Sequence, residues 1–552
     1  PLAWFFALIT LGAAVASSWY ASTSWGRHYA ATGGSPGLLQ VALACNVVSM
    51  LLLLCSADLL GLFISWELVS WASFLLMASA GGAAVRHALH YLVYAVAGGM
   101  AVLAGIALVY VATGSLSFDA FVASLSGLSA GRLWLLLLLF GGGFAVKMGL
   151  LPLHLWQARA YADTPGPGSA FLGAISSRMG LFGILLVLVQ LAGLARFAGL
   201  VLPLTPFTAL DLLAWVAAFT IILPTFTALR QTDARRLLAW HGIGQGGYML
   251  LGVVMGDALG SAGGLMHVFN HATYQAALFF SVSAVVYRTG TSDLDQLGGL
   301  VTRMPISFTA MLIGIIGLAG LPPMNGFVSK WLIYQSLIRE GHPLLFIAAV
   351  IGTLGTILSV YKLIHNMFLG QLRVEHEHIR EAPWSMTLPM ILLSAVVFAT
   401  GYLPGLVLRW IAPVQRELGL PVLDYTLGGY QSTAGSLDMI WVVTSMLGGF
   451  AIGAVLFYAG GRARRVHQLD NYAGGHFLDA ATRYQYSYNF YPALTRLAAP
   501  LYRDSFQWLE SALVSMLQLA SAGAQGIYRS VHPSLYLLAA AVIAWLVWGG
   551  GH

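Results

Sequence analysis

Charge is what this sequence has least of: only 8% of its 552 residues are Asp, Glu, Lys or Arg. A soluble domain carries about 25%, so an ordinary water-soluble fold is excluded. Cysteine is nearly absent as well. Cys45 and Cys55 both fall in apolar segments, which excludes a disulfide framework and a CxxC metal motif. The sequence has no Gly-rich phosphate loop, no nucleophile beside a base and no metal-ligand cluster. Chemistry on a bound substrate is therefore not indicated, and no catalytic site of the chain's own is expected. A net charge of +6 over so few charged groups suggests neither nucleic-acid binding nor a basic tail. The sequence opens on proline inside an apolar run, with neither an initiator Met nor a recognisable signal peptide. Upstream helices are expected to be missing from it.

What is present is apolar sequence. Hydrophobic residues make up 58% of the chain, and the mean hydropathy is +0.79. Runs long enough to span a bilayer recur along nearly the whole length. Their cores are near 2–17, 38–55, 59–79, 88–112, 133–160 (broken), 169–193, 211–229, 236–255, 263–287, 306–321, 325–339, 344–369, 385–403, 437–458 and 534–549. The expected fold is an all-α, polytopic membrane helix bundle of about 14–15 spans. The basic segments near Arg86, Arg230–Arg236 and Arg288–Arg303 fall on one side by this count, which the positive-inside rule makes cytoplasmic. The acid-rich segment 371–384 is expected on the other side, and the basic Arg462–Arg465 cluster conflicts with the count. The stretch 460–533 is more polar and rich in tyrosine. From Ala493 it turns amphipathic at helical period through Leu494, Leu497, Leu501, Phe506, Leu509, Leu513 and Leu517. It reads as a helix lying along the membrane surface or against a partner, or as a polar linker containing one helix.

The few charges inside apolar runs then stand out. Lys147 lies in GGGFAVKMGLLPLHLW, with Pro152 five residues on. An ammonium at bilayer depth costs about 2.5–3.5 kcal/mol on insertion scales, so such a residue is a functional candidate whose partner should be named. Glu67, in LFISWELVSWASFLLM, is the first partner to consider, with Ser70 on the same helical face. The charge of a carboxylate held between an apolar surround and a lysine is switched by moving one partner, and a proton pump requires such a switch. The bland alternative is a static buried ion pair. Lys330, in GLPPMNGFVSKWLIY, is a second lysine beside a second proline break. Paired interrupted helices point to inverted repeats with ion sites at the breaks, the alternative being ordinary proline kinks. His267, His271 and Gln275 recur every four residues on one face, a candidate hydrogen-bonded proton path, since histidine titrates near neutrality. Packing histidines are the competing reading, and a metal site is disfavoured because no third ligand is supplied. Arg178, His241 and the pair Arg235 and Arg236 add polar groups; arginine stays protonated and is a poor proton carrier.

At these residues the sequence resembles the antiporter-like proton-translocating membrane subunits of respiratory complex I, of cation/proton antiporter complexes and of energy-converting membrane-bound hydrogenases. The stretches FISWELVSWASFLLM, AVKMGLLPLHLWQARAYADTPGPGSAFLGAISSRMGLFG, DARRLLAWHGIGQGGYMLLG, HVFNHATYQAALFF and GLPPMNGFVSKWLIY carry the likeness over about residues 40–370. The resemblance implies two inverted repeats, two broken helices and a lateral C-terminal helix that runs over neighbouring subunits. It implies a buried Glu67–Lys147 pair, central histidines at His267 and His271, and a terminal lysine at Lys330. Two positions depart from the pattern. Gln275 stands where many members have lysine, and Arg178 where lysine or histidine is usual. About two helices that the family places before the first span are also absent.

The expected organisation is an N-terminal membrane segment (1–37), two repeat regions (38–255 and 256–403), an additional membrane helix (404–459), a partner-facing segment (460–533) and an anchor (534–552). The expected function is proton movement through Glu67, Lys147, Arg178, His241, His267, His271, Gln275 and Lys330, as a subunit of a redox-driven pump such as a hydrogenase, formate or quinone oxidoreductase complex. The alternative is the proton-conducting subunit of an inorganic-carbon uptake system with a zinc-containing, carbonic-anhydrase-like partner. Iron–sulfur, nickel or zinc centres are expected only in partner subunits, and the expected partners are other membrane subunits and a peripheral redox or zinc-containing subunit. The expected location is a bacterial inner membrane.

Overall fold

The structure is a computed structural model describing residues 1–202, 204–432, 435–460, 490–502 and 505–530. It divides into two compact units, Pro1–Ala498 and Ala499–His552. Every expected span up to residue 458 coincides with helix; the 534–549 segment and the Arg462–Arg465 cluster lie outside the described residues. Ten described helices are long and apolar enough to cross a membrane. The spans expected beyond those ten are Ala234–Val254, Ala258–Thr289, Pro305–Ala319 and Asn325–Arg339. The first two carry polar side chains and are enclosed by protein rather than lipid: from His241 to Val254 every residue is buried, as is every residue from Leu259 to Val285 except Phe269. The other two are short, with 15 residues each, or about 22 Å, less than the ~30 Å hydrocarbon core.

Those two short helices form one crossing. Both run antiparallel to Ala258–Thr289, in steady register: Ser281 meets Ser307, Tyr274 meets Gly317, Asn270 meets Asn325, His267 meets Ser329, and the Asp257 cap meets Ser336. The first broken crossing, from Ala130 to Asp163, follows the Ala83–Thr113 helix in the same manner. Phe140 packs on Gly105, Gly143 on Gly98, Lys147 on Tyr91 and Asp163 on His87. The two breaks share one local design. A left-handed glycine closes the first half-helix (Gly149, φ 73°; Gly320, φ 77°). The next leucine returns its N–H to the carbonyl five residues back (Leu150 to Ala145, Leu321 to Ile316, both 3.1 Å), a Schellman ending. A cis X–Pro bond follows, Leu151–Pro152 or Pro322–Pro323.

The basic loops gather at one end. Asp163 meets His87 and lies 4.0 Å from Arg236, while Asp233 accepts from Ser292. The first broken crossing finishes at this end and the second begins there, so the two run in opposite directions, as inverted repeats require. The segment 371–384 is also at this end, which corrects the expectation from the sequence. Glu381 accepts from Ile306 N (2.7 Å), Ser307 N (3.1 Å) and Ser307 Oγ (2.7 Å), and Arg288 donates to the Glu381 carbonyl at 2.5 Å. The reason is parity: Pro305–Arg339 crosses once, where the sequence count made it two spans. At the opposite end, a small antiparallel sheet (Tyr425–Thr426, Gly429–Ser432, Gly435–Asp438) pairs Tyr430 with Leu437, and Arg339 donates to Ser432. In the second unit, Ser505–Ser530 forms one helix, with Leu509, Leu513 and Leu517 exposed along it. The helical period expected from Ala493 is therefore continuous only from Ser505; Pro492–Leu497 is a separate short helix.

Candidate functional site

Three enclosed helices form the middle of the molecule. Gly166–Leu191 is buried at every residue from Pro167 to Val189; it contains a widened π turn at Leu172–Ser176 just before Arg178. Such turns recur at functional sites. Ala234–Val254 brings His241 and Gln245, one turn apart, and Ala258–Thr289 brings His267, His271 and Gln275. The two broken crossings supply Lys147 and Lys330.

Lys147 is 3% exposed. Its ammonium donates to Tyr91 Oη (2.8 Å) and Ser70 Oγ (3.2 Å) and lies 5.6 Å from the Trp66 ring centroid. No ion pair joins it to Glu67, whose Oε1 is buried without a hydrogen-bond partner and rests against Gly99. The structure therefore holds the expected pair apart: Ser70, one turn beyond Glu67, takes the place of the carboxylate. Gly99 allows this seat, because a Cβ there would stand 1.9 Å from Glu67 Oε1.

Arg178 is fully buried. Its Nη2 donates to Gly242 O at 2.6 Å and lies 3.4 Å from His271 Nε2. Its Nε and Nη1 have no protein partner. His267, His271 and Gln275 on the Ala258–Thr289 helix do not bond to one another; each faces a different neighbour. His267 Nδ1 lies 2.8 Å from Ser329 Oγ and its Nε2 lies 2.9 Å from Gln245 Oε1. His271 faces Arg178, and Gln275 Nε2 donates to Leu238 O at 2.9 Å. His241 Nε2 is 2.7 Å from Ser359 Oγ. His241 Nδ1, His271 Nδ1, Gln245 Nε2 and Gln275 Oε1 are buried without protein partners. Buried polar atoms of this kind are normally satisfied by water.

Lys330 is 1% exposed. It donates to Leu318 O (3.0 Å), Ala319 O (3.3 Å) and Thr353 Oγ1 (3.4 Å), with the Tyr248 ring centroid 4.7 Å away. The same Tyr248 ring lies 5.7 Å from the His267 ring, so Lys330 adjoins His267 across it. The structure thus brings Arg178, His271, His267, Gln245, Ser329 and Lys330 into one connected region, with His241 and Gln275 on its flanks. Lys147 and Glu67 sit apart, at the first break.

Asn270 and Lys362 were not singled out from the sequence. Asn270 Nδ2 donates to Asn325 O (2.8 Å) and Ser329 Oγ (3.1 Å), while Asn325 Nδ2 reaches Thr400 and Thr273. A buried lysine, Lys362, donates to Leu229 O and Gln231 O; its place inside LSVYKLIHNMF was the available signal. Among the described residues, no group of three or more His, Cys, Asp or Glu side chains is placed to hold a metal.

Residues 56–356 match the family described as NADH:quinone oxidoreductase/Mrp antiporter, TM. The chain is 31% identical over 362 residues to NADH-quinone oxidoreductase subunit N of Desulforudis audaxviator, covering 63% of this chain and 70% of that protein. It is 30% identical over 419 residues to hydrogenase-4 component B of Escherichia coli, covering 71% of this chain but only 59% of that longer protein. A chain of the membrane-bound sulfane sulfur reductase, an archaeal respiratory membrane complex, superposes with a TM-score of 0.87 at 26% identity, over 99% of this chain and 88% of that one. With its inverted broken crossings and enclosed polar helices, this multi-pass membrane chain belongs to the NADH:quinone oxidoreductase/Mrp antiporter membrane family.

Proposed function

We propose that this chain is the proton-translocating membrane subunit of a redox-driven respiratory complex. The observation that carries the reading is the pair of buried lysines at two inverted glycine–proline breaks, together with a histidine-bearing helix that is buried at nearly every residue. Keeping ammonium groups at that depth is costly, and the two sites repeat the same local fold around them. Protons would move between Glu67–Lys147 at one break and Lys330 at the other, through His271, His267 and bridging water, with Arg178 as a fixed positive charge. Gln275 and His241 flank this line. In this conformation Lys147 is turned toward Tyr91 and Ser70; swinging it to Glu67 would neutralise the carboxylate and alter the field on the central histidines. A rearrangement imposed by partner subunits would drive that swing.

The likeness along 99% of the chain to a subunit of a respiratory membrane complex supports neighbouring membrane subunits and a peripheral redox subunit, with iron–sulfur or nickel centres in those partners. A bacterial inner membrane fits the same reading. The test has two parts. Glu67→Gln in the purified, reconstituted complex should abolish proton movement while assembly is unchanged; undiminished flux would remove Glu67 from the path. Metal analysis of the co-purifying subunits should show iron. A single zinc-containing partner without iron would make the chain the proton-conducting half of an inorganic-carbon uptake system instead.

A further inference from the structure

The Pro343–Ile364 helix carries a third buried lysine, which the path above does not use. Lys362 is 1% exposed, and its ammonium donates to Gln231 O (2.8 Å) and Leu229 O (3.1 Å). These carbonyls close the Ala209–Arg230 helix, and the neighbouring Arg230 is exposed at the basic end. One turn inward on the lysine's own helix is Ser359, fully buried, whose Oγ lies 2.7 Å from His241 Nε2. One turn further along the Ala234–Val254 helix is Gln245, which is hydrogen-bonded to His267. Buried polar groups therefore line up from the basic end of the molecule to the central histidines, on two adjacent helices. A capping role for the lysine accounts for its two carbonyl partners. It does not account for the serine–histidine pair that continues the line, or for His241 Nδ1, which is wholly buried, has no protein partner and is one turn from the equally unpartnered Gln245 Nε2.

We propose that Lys362, Ser359 and His241 form a side branch that carries protons between the basic end and the central relay. The branch rests on the proton-translocating reading above and extends it by naming where protons join the path. In one inward step, the Lys362 ammonium gives a proton to Ser359 Oγ, directly or through one water. The Ser359 hydroxyl proton, held by Gly355 O and Thr356 O in this conformation, passes to His241 Nε2. His241 then releases its Nδ1 proton inward, and the neutral amine takes up the next proton from the basic end. No net charge is left behind, and His241 returns from its Nε2–H to its Nδ1–H tautomer, by a ring flip or exchange through water, before the next step.

The test uses the intact complex in vesicles, with an imposed pH gradient and a lumenal pH dye. Lys362→Met, Lys362→Arg and Ser359→Ala are compared with the unaltered chain and with Lys147→Met. Each of the first three should lower the flux at least tenfold with normal recovery of assembled complex. Lys362→Arg is decisive, because arginine keeps donors for both carbonyls but does not give up its proton. Flux equal to the unaltered chain in Lys362→Arg would reduce the lysine to a helix cap and overturn the branch. Ser359→Ala leaves the lysine and its cap in place, so normal flux there would also overturn it. Loss of flux in Lys147→Met together with either of those results overturns the branch alone. Normal flux in Lys147→Met removes the underlying relay, and the branch falls with it.

Discussion

Replacing Lys147 with methionine separates transport from folding, and the structure says by how much. The ammonium has two hydrogen-bond partners. Ser70 Oγ keeps its own bond to Trp66 O (3.0 Å) after the change, so Tyr91 Oη is the hydroxyl left without a partner. An orphaned buried hydroxyl costs about 1–3 kcal/mol. Against that, the chain no longer holds an ammonium at bilayer depth, a relief of about 2.5–3.5 kcal/mol on insertion scales. Methionine is flexible and of similar length, and it fills the space between Trp66 and Tyr91. The two effects nearly cancel, so Lys147→Met should assemble at the usual yield and unfold within about 2 kcal/mol of the unaltered protein. Proton flux in reconstituted vesicles should meanwhile fall to background. If the variant moves protons at half the normal rate or better, Lys147 is not on the path. If it fails to assemble, the cancellation is wrong and the lysine is part of the scaffold.

Three further changes probe other parts of the molecule. Gly326→Ala would place a Cβ 1.8 Å from the Gly317 carbonyl, wedging apart the two halves of the second crossing; overpacking of this kind costs about 1–3 kcal/mol or more, and the yield of assembled complex should drop accordingly. Gln275→Lys should change proton flux by less than about twofold if the central histidines suffice, since a lysine can still donate to Leu238 O; a large gain would show that the glutamine limits the path. Glu381→Gln should destabilise the complex by about 1–2 kcal/mol in thermal unfolding, because charged hydrogen bonds at a helix N-terminus become neutral ones, and an unchanged midpoint would show that these bonds do not hold the helix end.

The apolar runs located the helices because lipid leaves the chain little choice of backbone structure. They also located Ala234–Val254 and Ala258–Thr289, which are more polar because neighbouring helices cover them on nearly every side. Apolarity could not tell one broken crossing from two spans, since Pro305–Ala319 and Asn325–Arg339 each read as a short apolar segment. That single ambiguity sent residues 371–384 to the wrong end. At the site, the residue types and the two breaks were legible from the sequence, because a charge in an apolar run is conspicuous. Which atoms meet was not. Glu67 and Lys147 were expected in contact, yet Ser70 and Tyr91 hold the ammonium, and the helical spacing of His267, His271 and Gln275 concealed that each faces a different neighbour. Lys362 was overlooked because no proline break drew attention to it.

The seat of Lys330 has a mechanical consequence. Its ammonium rests on the last carbonyls of a half-helix, the end that carries about −0.5 elementary charge, and the lysine itself belongs to the other half. While the amine is protonated, its bonds across the gap are charge-assisted, roughly twice as strong as neutral ones. Once the proton leaves, the same contacts become ordinary. The lysine is therefore a latch between two rods, drawn tight by a proton and slackened by its departure, so that occupancy at one nitrogen is felt as tension along the whole crossing.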